Sequence, residues 1–331
     1  MCTAVSFTQK GEHYFGRTLD LDRSFGEQVV VTPRNYPFRF RMSGELCRHH
    51  AMIGMALVLE DYPLYYEAAN EAGLAMAGLN FPGNAHYFSM AEGRDNVASF
   101  EFIPWILGQC DSVGQAQGLL ARINLTDLPF QDNLPPAPLH WMIADGEQAV
   151  VVECVKEGLN IYPDPAGVLT NNPPFPFQIY HLKQYLNLSR EKPENRFAPQ
   201  LDLTPYCLGM GAVGLPGDLS SPSRFVRAAF ARCNAVPGET EEERVTQFFH
   251  VLGTVAQTKG LARAEEDGFE RTVYTSCCNT RRGIYYYTTY ENSQITRMGL
   301  DQADLEGRVL LTWPLAREQQ LCLAPDPVPI G

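Results

Sequence analysis

LHWMIADGEQAVVVECVKEGLNIYP (residues 139–163) holds apolar runs separated by two turn signals, Asp145–Gly146 and Glu157–Gly158. Glycine after an acidic residue suits the positive-φ turns of β-hairpins, so the spacing predicts consecutive antiparallel strands. Upstream, CTAVSFT (2–8), HYFGRT (13–18), EQVVVTP (27–33) and MIGMALVLE (52–60) are short, rich in β-branched and aromatic residues, and bounded by turn formers. LYYEAANEAGLAMAGLNF (64–81) reads as two more strands about a turn near Asn70–Gly73. Between these groups, FEFIPWILGQC (100–110) and SVGQAQGLLARI (112–123) carry apolar residues at helical spacing, a helix pair.

Downstream, FQIYHLKQYLNL (177–188) reads as helical. Residues 189–222 form a polar, Pro- and Gly-rich connection, long enough to suggest a functional segment or an interaction arm. SSPSRFVRAAFARCN (220–234) predicts a helix with Ser221 as N-cap and Pro222 in its first turn. TEEERVTQFFHVLGTVAQ (240–257) predicts another, its first turn acidic where the helix dipole favours negative charge. RTVYTSCCNTRRGIYYYTTYEN (271–292) is a hairpin pattern and RVLLTWPL (308–315) a last strand. Strands, helix pair, strands, helix pair, strands is not the βαβ alternation of a parallel sheet. The order predicts an α+β fold of antiparallel sheets packed together with helices outside. With no repeat and no dividing linker, residues 1–331 are expected to form one domain.

Composition is that of an ordinary globular chain, 45% hydrophobic and 19% charged, with a formal net charge of −12. An acidic chain without a basic block argues against nucleic acid, whose phosphates demand clustered Lys and Arg, and against an electrostatic membrane anchor. An anionic substrate would have to be held by local arginines. Residues 1–30 contain Lys10, Arg17, Asp20, Asp22 and Arg23 and no apolar stretch of signal-peptide length. No run approaches a membrane span. The chain is therefore expected in the cytoplasm, without membrane insertion. The nine cysteines are odd in number and scattered, and are expected to be reduced, several of them buried. Cys47 near His49 and His50 is spaced too tightly for a zinc site and reads as a surface loop.

GMGAVG (209–214) matches a dinucleotide fingerprint by letter, but Pro205 precedes it and Pro216–Gly217 follows, where a strand and a helix are required. It reads as a loop. Cys2 carries different chemistry. If Met1 is removed, one carbon bears both a thiol and an α-amine, and the amine can accept the thiol proton. One residue then supplies nucleophile and base. His13, His86, His140, His181 and His250 lack a Ser/Asp companion pattern and read as structural or loop residues.

MCTAVSF, YFGRTLDLD, GLAMAGLNFPG, VLTNNP, GLPGDLSSPSRFVRAAF and FFHVLGTVAQTKG, in this order from residue 2 to about residue 290, together resemble the choloylglycine hydrolase family. That family of N-terminal-nucleophile (Ntn) amidases includes bile salt hydrolases and penicillin V acylases. The resemblance implies a four-layer αββα sandwich and a Cys2 nucleophile exposed by loss of Met1. It implies that Arg17 and Asp20 stand beside Cys2, Arg17 stabilising the thiolate and Asp20 orienting the amine. On a straight strand these two point to opposite faces, so both reach Cys2 only if the chain bends after Gly16. Asn80 and Asn171 match the oxyanion-hole positions; Asn171 is preferred to Asn172 because it follows Leu169–Thr170 directly. Arg224 matches the last site residue, while Arg227 reads as surface or interface.

The implied reaction is hydrolysis of glycine- or taurine-conjugated bile acids, with no cofactor and no metal. Penicillin V or N-acyl homoserine lactones are alternative amides. Penicillin V acylases tend to carry Tyr at the position of Asn80, which favours the bile salt. A silent binding protein that retains Met1 is the alternative from another class. The aromatic loops at 20–28, 81–88 and 133–141 are candidates to contact a steroid. The family also implies homo-oligomers, a tetramer or a dimer, with residues 189–222 as the candidate contact.

Overall fold

The computed structural model describes residues 1–264 and 268–327. The chain opens with β1 (Cys2–Gln9) and β2 (Glu12–Leu21), joined through Lys10 and Gly11, both at positive φ. That conformation suits the twist of a two-residue hairpin. Next come β3 (Gln28–Thr32), β4 (Phe38–Phe40), β5 (Gly44–Leu46), β6 (Met52–Leu59), β7 (Tyr62–Asn70), β8 (Ala75–Asn80) and β9 (Asp95–Ala98). The helix pair is α1 (Phe102–Leu107) and α2 (Val113–Leu120), followed by β10 (Ile123–Thr126). β11 (Leu139–Ala144), β12 (Ala149–Val155) and β13 (Gly158–Pro163) form the two predicted hairpins, and β14 (Val168–Leu169) follows. Then come α3 (Phe175–His181), α4 (Ser221–Asn234) and α5 (Glu241–Gly253). β15 (Arg271–Asn279), β16 (Ile284–Thr289), β17 (Thr296–Gly299) and β18 (Leu311–Pro314) end the described elements.

The strands build a six-stranded sheet, β14-β1-β2-β15-β16-β17, and an eight-stranded one, β13-β12-β11-β8-β7-β6-β3-β18. Every pairing inside both is antiparallel. α4 packs on β1 and α5 on β15, covering the first sheet; α1 packs on β7 and β8, covering the second. This is the expected αββα sandwich of the N-terminal-nucleophile fold. Val29, Val31, Ile53, Met55 and Met142 of the larger sheet share a core with Ala4, Phe15 and Tyr285 of the smaller. Trp141, Phe102, Ile106 and Val152 anchor a second core under α1. Burying each large apolar side chain contributes roughly 1.5–3 kcal/mol, so these cores hold the sheets in fixed register.

Three local expectations are corrected. The N-cap of α4 is Ser220, not Ser221; Pro222 still sits in the first turn, and the Ser221 hydroxyl is taken by Asn171 N at 2.8 Å. The turn between β12 and β13 is Lys156–Glu157, with Gly158 opening β13 at φ 127°. β2 runs through Gly16 unbroken. Gly16 serves close approach instead, since a Cβ there would lie 2.1 Å from Ser276 O. The GMGAVG segment is a loop with one short turn at Met210–Ala212, and the next helix starts only at Ser221. All nine cysteines are free, and Cys2, Cys110, Cys154, Cys277 and Cys278 are buried. Among the described residues no helix is long and apolar enough to cross a membrane.

Candidate active site

Cys2 begins the buried strand β1, and strand parity decides what it faces. Cys2 pairs with Leu19 and Ala4 with Arg17, so the side chains of Cys2 and Arg17 share one face of the hairpin. Thr3, Thr18 and Asp20 occupy the opposite face. Arg17 points between the sheets, where Nη1 donates to Gly78 O at 2.5 Å and Tyr66 O at 3.2 Å, and Nε to Thr18 O at 3.2 Å. Asp20 points toward the helices and accepts from Thr272 Oγ1 at 2.7 Å and Thr18 Oγ1 at 3.1 Å. No bend brings the two together. Cys2 stands between them because it is the first residue of β1, at the open end of the hairpin.

Met1 extends that strand by one pair: Asp20 N donates to Met1 O at 2.9 Å, and the Met1 amine donates to Asp20 O and Glu270 Oε2, each at 2.7 Å. Cys2 N donates to Asn171 Oδ1 at 2.9 Å. The same oxygen accepts from Arg224 Nη2 at 2.7 Å, and Asn171 Nδ2 donates to Asn80 O at 2.7 Å. Arg224, fully buried on the first turn of α4, also donates to Cys2 O at 2.5 Å and Thr3 Oγ1 at 2.7 Å. Cys2, Asn80, Asn171 and Arg224 thus form one hydrogen-bonded set. Arg17 meets it on the thiol's face, and the Asp20 carboxylate stands behind it without bonding Cys2 N.

The charges are buried and balanced. Burial opposes the Arg17 cation, but Cys2, Tyr274 and Glu67 outweigh it and hold Arg17 above its ordinary value. Glu67 on β7 was not visible from sequence as a partner of the site. Its carboxylate lies 3.9 Å from Arg17 Nε and accepts from Tyr274 OH at 2.7 Å and Tyr285 OH at 2.5 Å. Burial raises Glu67, against the pull of Arg17 and the tyrosines. Burial also raises Asp20, opposed chiefly by Arg224 and then by the nearby amino terminus. Arg224 is lowered by burial, with Asp20 and Cys2 opposing.

Cys2, Arg17 and Asn80 open onto a cavity of about 390 Å³ whose other walls are mainly apolar. Phe25 comes from the first aromatic loop and Leu134, Pro135 and Pro136 from the third. Residues 81–88 do not line it, contrary to expectation. Phe100, Ile103, Phe130 and Leu57 do, and nothing local in the sequence marks them. The buried Trp141 Nε1 lacks a hydrogen-bond partner among the described residues, and lies 3.1 Å from where a Gly78 Cβ would be. A groove of about 410 Å³ between α5 and β15–β16 contains none of the six candidate residues.

Residues 2–313 match the family model for linear amide C–N hydrolases, choloylglycine hydrolase family. The chain is 48% identical over 320 residues to a bile salt hydrolase/transferase of Lactiplantibacillus plantarum, covering 97% of this chain and 98% of that one. It is 38% identical to a bile salt hydrolase/transferase of Clostridium perfringens, over 95% and 96% of the two chains. The solved C2A mutant of the conjugated bile acid hydrolase from Clostridium perfringens superimposes with a TM-score of 0.91 at 35% identity, over 98% of this chain and 100% of that one. Penicillin V acylase from Agrobacterium tumefaciens shares the fold, with a TM-score of 0.76 at 17% identity over 96% and 92% of the chains. With the full sandwich, Cys2 at the head of β1 and this match over residues 2–313 in agreement, the chain belongs to the choloylglycine hydrolase family of linear amide C–N hydrolases.

Proposed function

We propose that the chain, once Met1 is removed, hydrolyses the amide bond of glycine- or taurine-conjugated bile acids. The observation that carries this reading is Cys2 at the mouth of an apolar cavity, with Arg17 on its thiol side and Asn171 on its nitrogen. Loss of Met1 turns Cys2 N from a peptide nitrogen into an amine, already bonded to Asn171 Oδ1. The amine takes the thiol proton, and the thiolate, facing Arg17, attacks the amide carbon. Negative charge moves to the carbonyl oxygen, where Asn80 and Asn171 supply amide donors. The Cys2 ammonium returns the proton to the departing glycine or taurine nitrogen as the C–N bond breaks. Water, deprotonated by the same amine, then adds to the thioester carbon and expels the thiolate. An apolar cavity of this size suits a steroid acyl group.

Amine release from taurocholate, glycocholate and penicillin V tests the assignment. Wild type should act on the bile salts faster than on penicillin V, and Cys2→Ala and Cys2→Ser should fall to background. Activity retained in Cys2→Ala, or faster turnover of penicillin V, would overturn the reading. The well-seated Met1, paired to Asp20 and Glu270, supports a second reading, a silent binding protein; intact mass with Met1 retained and no turnover would favour it. We further infer one domain acting in the cytoplasm as a homo-oligomer, with residues 189–222 as the contact between copies.

A further inference from the structure

His140 on β11 is fully buried and has no part in the steps above. Both ring nitrogens are used. Nε2 lies 2.9 Å from Thr170 O, and a carbonyl only accepts, so this nitrogen carries a proton. Nδ1 lies 3.1 Å from Glu153 Oε1, a carboxylate only 1% exposed on β12. The same Glu153 oxygen accepts from Phe175 N at 2.9 Å, at the start of α3. The Phe81 ring stacks on the imidazole at 4.2 Å and an interplanar angle of 6°.

Sequence order makes these contacts informative. Thr170 precedes Asn171, and Phe81 follows Asn80. One imidazole therefore grips the Asn171 segment by its edge and the Asn80 segment by its face. Nearer solvent the same segments are tied by Asn172 to Pro82 O at 2.9 Å and by Asn84 to Asn172 at 3.0 Å. His140 is the buried anchor beneath these ties, and Glu153 fixes its ring orientation.

We propose that His140 is a positioning residue, holding the Asn80 and Asn171 amides in the relative placement that receives the oxyanion. This rests on the oxyanion role assigned to the two asparagines above. Misplacing a preorganised donor by a fraction of an ångström removes much of its effect on the transition state and little of substrate binding. His140→Phe keeps the ring stack and deletes both ring nitrogens; His140→Gln keeps a donor able to reach Thr170 O.

The experiment compares kcat, KM and the rate of Cys2 alkylation by iodoacetamide, a reaction that forms no oxyanion. His140→Phe should lower kcat roughly 10- to 100-fold with KM changed less than about threefold and alkylation within about twofold of wild type. His140→Gln should recover most of the loss. If His140→Phe does not fold, Glu153→Gln is read in its place and should show the same split. Unchanged kcat, or turnover and alkylation falling together, would overturn the proposal. Asn80→Ala and Asn171→Ala are measured alongside. If they lower kcat and the His140 and Glu153 variants do not, positioning alone is wrong; if they do not lower it, the oxyanion reading falls as well.

Discussion

Arg17 has a crowded back and an open front. Three carbonyls and Glu67 hold its rear, while Nη2 has no acceptor among the described residues and the side chain lines the cavity with Cys2. Glu67 answers the cation and also receives two buried tyrosine hydroxyls. Removing one member of a buried ion pair strands the other without solvent. Glu67→Ala should therefore destabilise the fold by about 3 kcal/mol or more and depress turnover. Glu67→Gln, which keeps an acceptor oxygen, should lose markedly less stability. Urea unfolding checks both; equal losses would show that the loss of charge accounts for the whole effect and that an acceptor for the two tyrosine hydroxyls contributes nothing. The candidates Cys2, Arg17, Asp20, Asn80, Asn171 and Arg224 could be picked out of the sequence because each sits inside a long motif. The same sequence hid Glu67 and His140, each a single polar residue in an apolar strand, because their partners lie far away in sequence: Arg17 and the tyrosines for Glu67, Thr170 and Phe81 for His140.

Hairpins were readable where turn chemistry speaks locally: β11–β12–β13 formed, with the second turn one residue earlier than its glycine suggested. Sheet order and register were not, since they depend on pairings such as β2 with β15, which slips by one residue between Thr272 and Tyr274. His13 shows how one buried contact ties such elements. It lies on β2, with Nε2 3.0 Å from Ser6 Oγ on β1 and Nδ1 2.8 Å from Thr280 Oγ1 after β15. Burial pushes its pKa down to about 4, Arg232 acting with it and Asp145 against. The unfolded chain, with a histidine pKa of about 6.5, binds that proton first as pH falls. The neutral ring therefore contributes stability that is fully present above about pH 6.5 and is lost as pH falls toward 4, roughly 3 kcal/mol in all. Stability of wild type should drop more steeply than that of His13→Gln between pH 7 and pH 4 in guanidinium unfolding. Parallel pH profiles would rule out the neutral buried ring as the cause.

The arm inferred from composition at 189–222 is closed at its neck by Ser189 N donating to Gly211 O at 2.8 Å. Gly211 permits this approach, because a Cβ there would lie 2.4 Å from Ser189 O and 2.1 Å from Glu191 O. Beyond the neck, Asn195 Nδ2 donates to Ala198 O and Leu201 O, each at 2.8 Å, giving the excursion internal order. What it presents is apolar: Phe197 is 87%, Tyr206 87% and Leu208 83% exposed. Like chains of net charge −12 repel one another at long range, so association must come from short-range apolar burial of this kind. A second copy of this chain is the proposed occupant. Light scattering should give wild type a mass that is a multiple of 37.0 kDa. The triple variant Phe197→Asp, Tyr206→Asp and Leu208→Asp should run as a single 37.0 kDa chain with unchanged far-UV circular dichroism. Because the arm residues lie outside the cavity lining, the variant should keep its amine release per chain. A monomeric wild type, or an oligomer that survives the three aspartates, would remove the arm as the contact between copies.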